Sequence, residues 1–313
     1  AFRSSGDLSA DRRYLWGVLQ ELAQPAASAR SAPQQQLGDY FGACMNEEAV
    51  NAAGLKPLQP LLDRIDALQD KRQLPNLLAA LHQVLDNERA FFRFSSGQDF
   101  NDATQVIAFV SAGGLGLPER DLYLKNDARS RKLRSEYQAH VQRSLVRAGA
   151  TPEQAQRQAR SVLTFETGLA RATLSPVERR DPYKLSNRLQ PAELQALTPG
   201  FDWAAYRQAL GLAQELPVLN VTEPRFLKRW GVLLQQADLT TLKTLLRWQL
   251  LSSQAEFLDA GWQAEQFGFY GKTLQGVPVQ KARWKRCVEL VDAQLGEALG
   301  QEFVARNFSP ELK

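Results

Sequence analysis

The sequence has few of the side chains that bind transition metals or act as strong nucleophiles. Its 313 residues include only two cysteines, Cys44 and Cys287, and two histidines, His82 and His140. A zinc site takes about three or four such ligands, so these residues do not supply one unless carboxylates complete it. The patterns His-Glu-x-x-His, C-x-x-C and Gly-x-Ser-x-Gly are all absent. We therefore predict no catalytic and no metal-binding residue in this chain.

Long apolar runs and a one-sided charge are also missing. No apolar segment approaches the roughly 20 residues of a membrane span, and the formal net charge is only +4. The densest basic run, RSRKLR at residues 129–134, is better explained as a solvated helix face than as a nucleic-acid patch. We predict no membrane span and no nucleic-acid partner. Because the sequence begins with Ala1 and not methionine, we expect a processed or trimmed product whose export signal is out of view.

Three arrangements could still carry chemistry, and each has a plainer interpretation. The segment ERRD at residues 178–181 could hold paired carboxylates, but its interleaved arginines favour an ion-pair network within the segment. A Cys–His pair could use Cys44 or Cys287, although neither lies in the glycine-rich or basic surroundings typical of a nucleophile. A lone histidine in a helical pattern, such as His82, is more often a helix-surface residue or a satisfied core residue than a ligand.

Helical periodicity extends over most of the sequence. Residues 238–259 are apolar on more than one face, so this helix is predicted to be central. Aromatic and β-branched residues at 91–94 and 106–110 predict paired strands. The prediction is a mainly α, multi-helical single lobe over residues 1–313, with roughly ten helices and one small β-hairpin. The helices predicted after the hairpin cover residues 128–148, 152–173, 191–197, 202–212, 223–236, 238–259, 262–269 and 278–307.

A glycine-rich corner follows the second predicted strand. Gly113, Gly114 and Gly116 supply backbone angles that a residue with a Cβ resists, and Pro118 disfavours helix at the residue before it. A phosphate-binding loop is the alternative. However, the stretch lacks both G-x-G-x-x-G leading directly into a helix and Gly-Lys-Ser/Thr. The sequence predicts a structural corner that leads into a long helical region.

Residues 114–124, GLGLPERDLYL, closely resemble a signature of the neprilysin and endothelin-converting-enzyme family of zinc metallopeptidases. Further segments resemble the family in the same order, namely residues 40–46, 94–102, 178–182, 248–251, 283–287 and 295–300. The resemblance implies a largely helical lobe that roofs a chamber for peptide substrates. It also implies that the zinc and the catalytic glutamate belong to a C-terminal catalytic domain that is not part of these 313 residues.

Two site assignments rest on this resemblance. Cys44 and Cys287 resemble a family disulfide, with two buried free thiols as the alternative. In neprilysin-like members an arginine near the start of this lobe holds the substrate's C-terminal carboxylate, whereas Leu15 stands at the matching position here. Arg12 and Arg13 are the candidates to replace it in substrate binding, although a solvated helix face is the commoner explanation for two such arginines. A plain endopeptidase is therefore expected as the parent enzyme.

The function expected from the resemblance is that of a non-catalytic N-terminal lobe of an exported, bacterial zinc metallopeptidase. Its expected partners are the C-terminal catalytic domain of the same polypeptide and peptide substrates, and zinc is expected in that domain only. The expected location is periplasmic or secreted, with possible anchoring through a missing N-terminal segment. The alternative is a stand-alone helical binding or scaffold protein. A reading frame that continues past Lys313 into His-Glu-x-x-His would favour the first, and a stop codon there the second.

Overall fold

The computed structural model describes residues 5–24, 30–85, 90–212, 214 and 216–309. Over these residues it is mainly α, as predicted, with a small sheet. Short helices that begin at a proline or end near a glycine raise the number of helices above the predicted ten. The α-helices are α1 (Ser5–Leu22), α2 (Ala32–Met45), α3 (Glu47–Ala53), α4 (Gln59–Asp66), α5 (Leu74–His82), α6 (Arg120–Leu124), α7 (Ala128–Arg147), α8 (Pro152–Ala170), α9 (Pro182–Leu185), α10 (Pro191–Leu197), α11 (Trp203–Ala209), α12 (Pro224–Gln236), α13 (Leu239–Gln254), α14 (Ala260–Gln266) and α15 (Arg283–Asn307).

The chain divides into two compact units. The smaller unit comprises residues 1–54, 257–261 and 277–313, and the larger unit comprises residues 55–256 and 262–276. The proposal of one continuous lobe over residues 1–313 stays a prediction. No described helix has both the length and the apolar character that crossing a bilayer requires.

The smaller unit is built from α1, α2 and α15. Its core is a cluster of buried side chains from these three helices, namely Val18, Leu19, Leu22, Leu37, Phe41, Cys287, Val288, Val291 and Leu299. Helix α2 begins with a capping box in which the Ser31 hydroxyl accepts from the Gln34 backbone and the Gln34 side chain accepts from the Ser31 backbone. The predicted helix 278–307 starts later, at Arg283, and its dihedral angles depart from helical values at Leu295.

The larger unit surrounds α13, the helix predicted to be central. Leucines on several sides of α13 are fully buried, including Leu242, Leu245, Leu246 and Leu250, which confirms that prediction. Helices α7 and α8 pair with each other, and α8 also contacts α6, α12 and α13. This arrangement buries most of the C-terminal part of α8, from Phe165 to Ala170.

The larger unit also holds the sheet. Strands β1 (Phe92–Gln98) and β2 (Val106–Ala112) form the predicted antiparallel hairpin. The sheet extends beyond it in the order β1-β2-β4-β3, since β4 (Leu219–Val221) pairs parallel with β2, and β3 (Arg188–Leu189) pairs antiparallel with β4. The prediction of a hairpin alone was therefore incomplete, because strands of two or three residues are too short to show an alternating pattern.

Candidate functional site at the glycine corner

A cleft of about 1140 Å³ opens in the larger unit beside the glycine corner, and we take it as the candidate site. It lies between the start of β1, the corner itself, α6, the first turns of α7 and the segment after α14. Its lining is both apolar and charged, with residues Arg93, Ala112, Gly113, Leu115, Gly116, Leu117, Pro118, Glu119, Asp121, Leu122, Lys125, Asp127, Arg129, Ser130, Leu133, Thr173, Arg179, Tyr270, Leu274 and Gln275.

Two glycines of the corner have no room for a side chain. Gly114 has a φ of +73°, and a Cβ built on it would lie 2.9 Å from the Cα of Phe91. A Cβ on Gly116 would lie 1.8 Å from the hydroxyl oxygen of Tyr137. The first glycine is required by backbone conformation and close backbone contact, and the second by contact with a buried aromatic ring.

The corner is held by the carboxyl group of Glu166 on α8. Its Oε2 accepts from the Tyr123 hydroxyl at 2.6 Å and from the Gly116 N–H at 3.3 Å. Its Oε1 accepts from the Tyr137 hydroxyl at 2.9 Å. The Tyr123 oxygen also accepts from the Leu117 N–H at 2.8 Å. Glu166 therefore joins α6, α7 and α8 to two consecutive residues of the corner.

Burial dominates the electrostatics of this carboxyl group. Glu166 is 1% exposed, and desolvation raises its pKa to about 7, although hydrogen bonds from Tyr123, Tyr137 and Gly116 act in the opposite direction. Burial also raises the pKa of Tyr123 and of Tyr137 well above 10. Both phenols therefore stay protonated and act as donors to Glu166 throughout the physiological pH range.

A π-helical segment, Phe267–Leu274, completes one wall of the cleft. The helix predicted over residues 262–269 is thus α14 followed by this wider turn. The Tyr270 hydroxyl donates to the Gly116 carbonyl at 2.9 Å, so the segment contacts the corner directly. The rings of Phe269 and His140 stack at 5.1 Å. Short π-helical turns are often found at functional sites.

The charged residues of the cleft are mostly paired. Lys125 binds Asp121 at 2.9 Å, and Arg179 binds the buried Glu223 at 3.2 Å. Because Arg179 pairs with Glu223 and Glu178 lies 3.8 Å from Lys184, the ion pairs of segment 178–181 lead outside it. The predicted network within that segment is therefore wrong.

Both histidines are buried in the larger unit. His82 contacts the Tyr206 hydroxyl at 2.6 Å and the Ala90 carbonyl at 2.8 Å, and burial lowers its pKa to about 4. His140 contacts Glu265 at 2.8 Å, and burial lowers its pKa as well. Among the residues with described positions, no three His, Cys, Asp or Glu side chains are grouped so that they could hold a metal ion.

Arg12 and Arg13 lie apart from this cleft in the sequence, on α1 of the smaller unit. Arg12 forms an ion pair with Glu289 of α15 at 3.2 Å, and both arginines are exposed. Leu15, at the position of the family arginine, packs against the core of the smaller unit. A role of Arg12 and Arg13 in substrate binding stays a prediction.

The disulfide between Cys44 and Cys287 is present and joins α2 to α15, with their Cα atoms 5.8 Å apart. Arg283 donates to the Cys44 carbonyl at 2.8 Å, and it also lies 3.7 Å from Glu47. Within the described part of the chain no cysteine is free. The bridge therefore closes the smaller unit across 243 residues of sequence.

Glu166 was not singled out from the sequence, although a signal existed. It lies four residues after Val162 and seven after Ala159, two fully buried positions of α8. A carboxylate at helical spacing on an apolar face is unusual and indicates a buried polar contact. Its partners could not be identified, because they come from segments about 30 to 50 residues distant.

Comparison with known proteins gives one consistent result. The sequence model of "Peptidase family M13", in its N-terminal part, matches residues 7–313. Endothelin-converting enzyme 1 of Rattus norvegicus is 27% identical over 310 residues, which cover 95% of this chain and 40% of that enzyme. The chain therefore spans well under half the length of this relative.

Solved structures agree. The zinc metalloprotease ZMP1 of Mycobacterium tuberculosis in complex with an inhibitor has a TM-score of 0.88 and 28% identity, over 96% of this chain and 45% of that one. The same protease in its open state has a TM-score of 0.90, over 97% of this chain and 47% of that one.

Proposed function

Because the chain belongs to peptidase family M13, in which it corresponds to the N-terminal domain of a neprilysin-like enzyme, we propose that it is a non-catalytic lobe that roofs an active-site chamber. In this proposal it restricts which peptides reach a zinc centre in a C-terminal catalytic domain of the same polypeptide. The observation that carries the proposal is coverage: the chain aligns almost completely with relatives named as zinc metalloproteases, yet with less than half of their length.

The disulfide supports an exported protein. Bridges of this kind persist in oxidising compartments and are rare in the cytosol, and the bridge here joins α2 to α15 beside their shared core. We propose a periplasmic or secreted location on this basis.

The purified 313-residue chain is expected to bind no stoichiometric zinc and to leave peptides uncut. The polypeptide encoded by the complete reading frame is expected to bind one zinc ion and to cleave short peptides. Metal analysis and a fluorogenic peptide assay on both proteins check this. A reading frame that stops after Lys313 would instead favour a stand-alone binding protein, and peptidase activity of the 313-residue chain with bound metal would overturn the proposal.

The proposed restriction of substrate access to the chamber can be measured separately on the complete polypeptide. The same cleavable sequence is presented as a short peptide and within a long, unstructured carrier. We expect cleavage of the carrier to be strongly reduced, because a roofed chamber admits only small substrates. A protease with an open cleft serves as the control, since it should cut both. Equal cleavage of both by the complete polypeptide would contradict the roofing role.

The apolar residue Leu15 leads to a prediction about substrate ends. Amidation of a substrate's C-terminus is expected to change kcat/KM of the complete polypeptide by less than about fivefold. A charge-assisted hydrogen bond to the carboxylate would contribute about 1.5–3 kcal/mol, or roughly tenfold and more. Matched free-acid and amidated peptides measure the difference. A tenfold or larger preference for the free acid, lost in an Arg12→Ala variant, would instead assign carboxylate binding to Arg12.

A further inference from the structure

The carboxyl group of Glu166 is buried without a cationic partner. Among the described residues, no lysine, arginine or histidine forms an ion pair with it, and its neighbours include two phenols, a backbone N–H and the indole of Trp248. A buried acid without a counter-charge favours its neutral form, because desolvation penalises the carboxylate. In that neutral form the carboxyl proton needs a hydrogen-bond acceptor nearby.

The groups that contact Glu166 are all donors. The hydroxyls of Tyr123 and Tyr137, the Gly116 N–H and the indole of Trp248 donate to it. The two phenol oxygens already accept, one from Leu117 and the other from the indole N–H of Trp248 at 3.0 Å. A protonated carboxyl group adds one more donor to this network, so it needs an acceptor that the network does not supply.

An unused acceptor lies next to Glu166. Gln249 of α13 is 5% exposed, and its Oε1 has no hydrogen-bond partner among the residues that the structure describes. Gln249 and Glu166 line the same small cavity, together with Gly114, Gly116 and other residues. The cavity measures about 10 Å³, which is room for one water molecule at most. A proton on Glu166 would satisfy the buried amide oxygen, and the oxygen would in turn stabilise the proton.

We propose that Glu166 is a proton-binding positioning residue of the glycine corner, and that the Gln249 Oε1 accepts a hydrogen bond from its protonated carboxyl group, directly or through one water molecule in the small cavity. Loss of the proton leaves an uncompensated charge between α8 and α13 and removes the hydrogen bond to Gln249, whereas the hydrogen bonds from Gly116 and the two phenols become charge-assisted. The raised pKa of Glu166, about 7, places this change near neutral pH. The corner lines the cleft, so the wall of the cleft responds to a single proton.

None of the other titratable groups around Glu166 would reproduce its pH dependence of stability between pH 5 and 8. The titratable groups that face it are the phenols of Tyr123 on α6, Tyr137 on α7 and Tyr270 on the π-helical segment. From α13 it meets the neutral side chains of Trp248 and Gln249. Helix α12 approaches α8 through the apolar Leu233 at Gly168. The acid and base in this part of the unit, Glu265 and His140, pair with each other.

The direction of the pH dependence follows from the folded and unfolded pKa values. The pKa of Glu166 rises from its ordinary 4.5 to about 7 on folding, so its contribution to stability is complete below pH 4.5 and is lost as pH rises through 7. The pKa values of His82 and His140 are lowered by burial, so their contributions are present above pH 6.5 and are lost as pH falls. Because these effects oppose each other, Glu166 is isolated by comparing a variant with the wild type at each pH.

The experiment measures the unfolding equilibrium constant of the wild-type chain and of Glu166→Gln at pH 5 and pH 8. We expect the ratio of the two constants to change by roughly 50-fold between these pH values, because only the wild type releases the proton. Asp127→Asn is the matched control, an acid-to-amide change beside the same cleft. The Asp127 carboxyl has a lowered pKa because it accepts from Ser130 at the start of α7, so its effect should be the same at both pH values. A ratio for Glu166→Gln that does not change with pH would overturn the proposal.

Two measurements do not depend on that variant being folded. In the wild type, the amides of α8 and α13 around Glu166 and Gln249 should exchange faster at pH 8 than at pH 5 after correction for intrinsic rates, because the buried charge lies between these helices. Infrared difference spectra should show a protonated buried carboxyl group that disappears over the same range. In Gln249→Met, which removes the acceptor, this disappearance should shift to lower pH by about one unit. An absent carboxyl band, or an unshifted one in Gln249→Met, would contradict the assignment.

Discussion

Replacing Cys44 and Cys287 together by alanine is expected to lower the free energy of unfolding by about 5 kcal/mol. The bridge spans 243 residues of sequence, and cross-linking so long a loop removes much of the entropy of the unfolded chain. The loss should be concentrated in α1, α2 and α15, because the bridge joins two of these helices within their shared core. Chemical denaturation followed by site-resolved hydrogen exchange measures both the size and the location of the loss.

The reduced wild type is the control for this result. A reductant should destabilise the wild type to about the level of the double variant and should leave the double variant unchanged. The amides of β1 and β2 should keep their protection, since both strands belong to the larger unit. A loss below about 1 kcal/mol would show that the bridge adds little to the packing of the three helices.

Gly116→Ala is expected to destabilise the protein by about 3 kcal/mol, since it forces a methyl group into a filled position. The new Cβ would lie 1.8 Å from the Tyr137 hydroxyl oxygen and 2.5 Å from the carbon that bears it. Tyr137 cannot yield easily, because it is fully buried and its hydroxyl is held by Glu166 and Trp248. Denaturant unfolding measures the change.

Gly268→Ala is the matched control in the same unit. Nothing lies within 4 Å of a Cβ built on Gly268, and its φ is not positive, so we expect a change within about 0.5 kcal/mol. Similar losses in the two variants would show that general loss of glycine, and not the contact with Tyr137, controls stability. A change within 0.5 kcal/mol for Gly116→Ala would show that the corner is free to shift.

Features that depend on local sequence were predicted well. The central helix α13 and the hairpin of β1 and β2 follow from apolar spacing and side-chain type. The start of α8 follows from Thr151 and Pro152, which supply a cap and a first helical residue. The start of α15 and the nature of the segment after α14 were predicted less accurately, since wide or displaced turns depend on tertiary contacts.

Features that depend on contacts between distant residues were out of reach. The glycine corner was recognised as a turn, but its attachment to Glu166 was not, because the contact joins Gly116 to a helix 50 residues later. Likewise, β4 forms by pairing with the free edge of β2, and β3 forms by pairing with β4. The disulfide pairing was available only through family resemblance, since two cysteines alone do not show that they are bonded.

The division of the chain has a consequence for biosynthesis. The smaller unit combines the first 54 residues with residues 277–313, so its three-helix core cannot assemble until α15 has emerged from the ribosome. Residues 55–256 of the larger unit, in contrast, are contiguous and can collapse while translation continues. During that interval α1 and α2 expose the leucine and phenylalanine side chains that α15 will later cover. A nascent chain stalled before α15 is therefore expected to need a holding chaperone at its amino-terminal end.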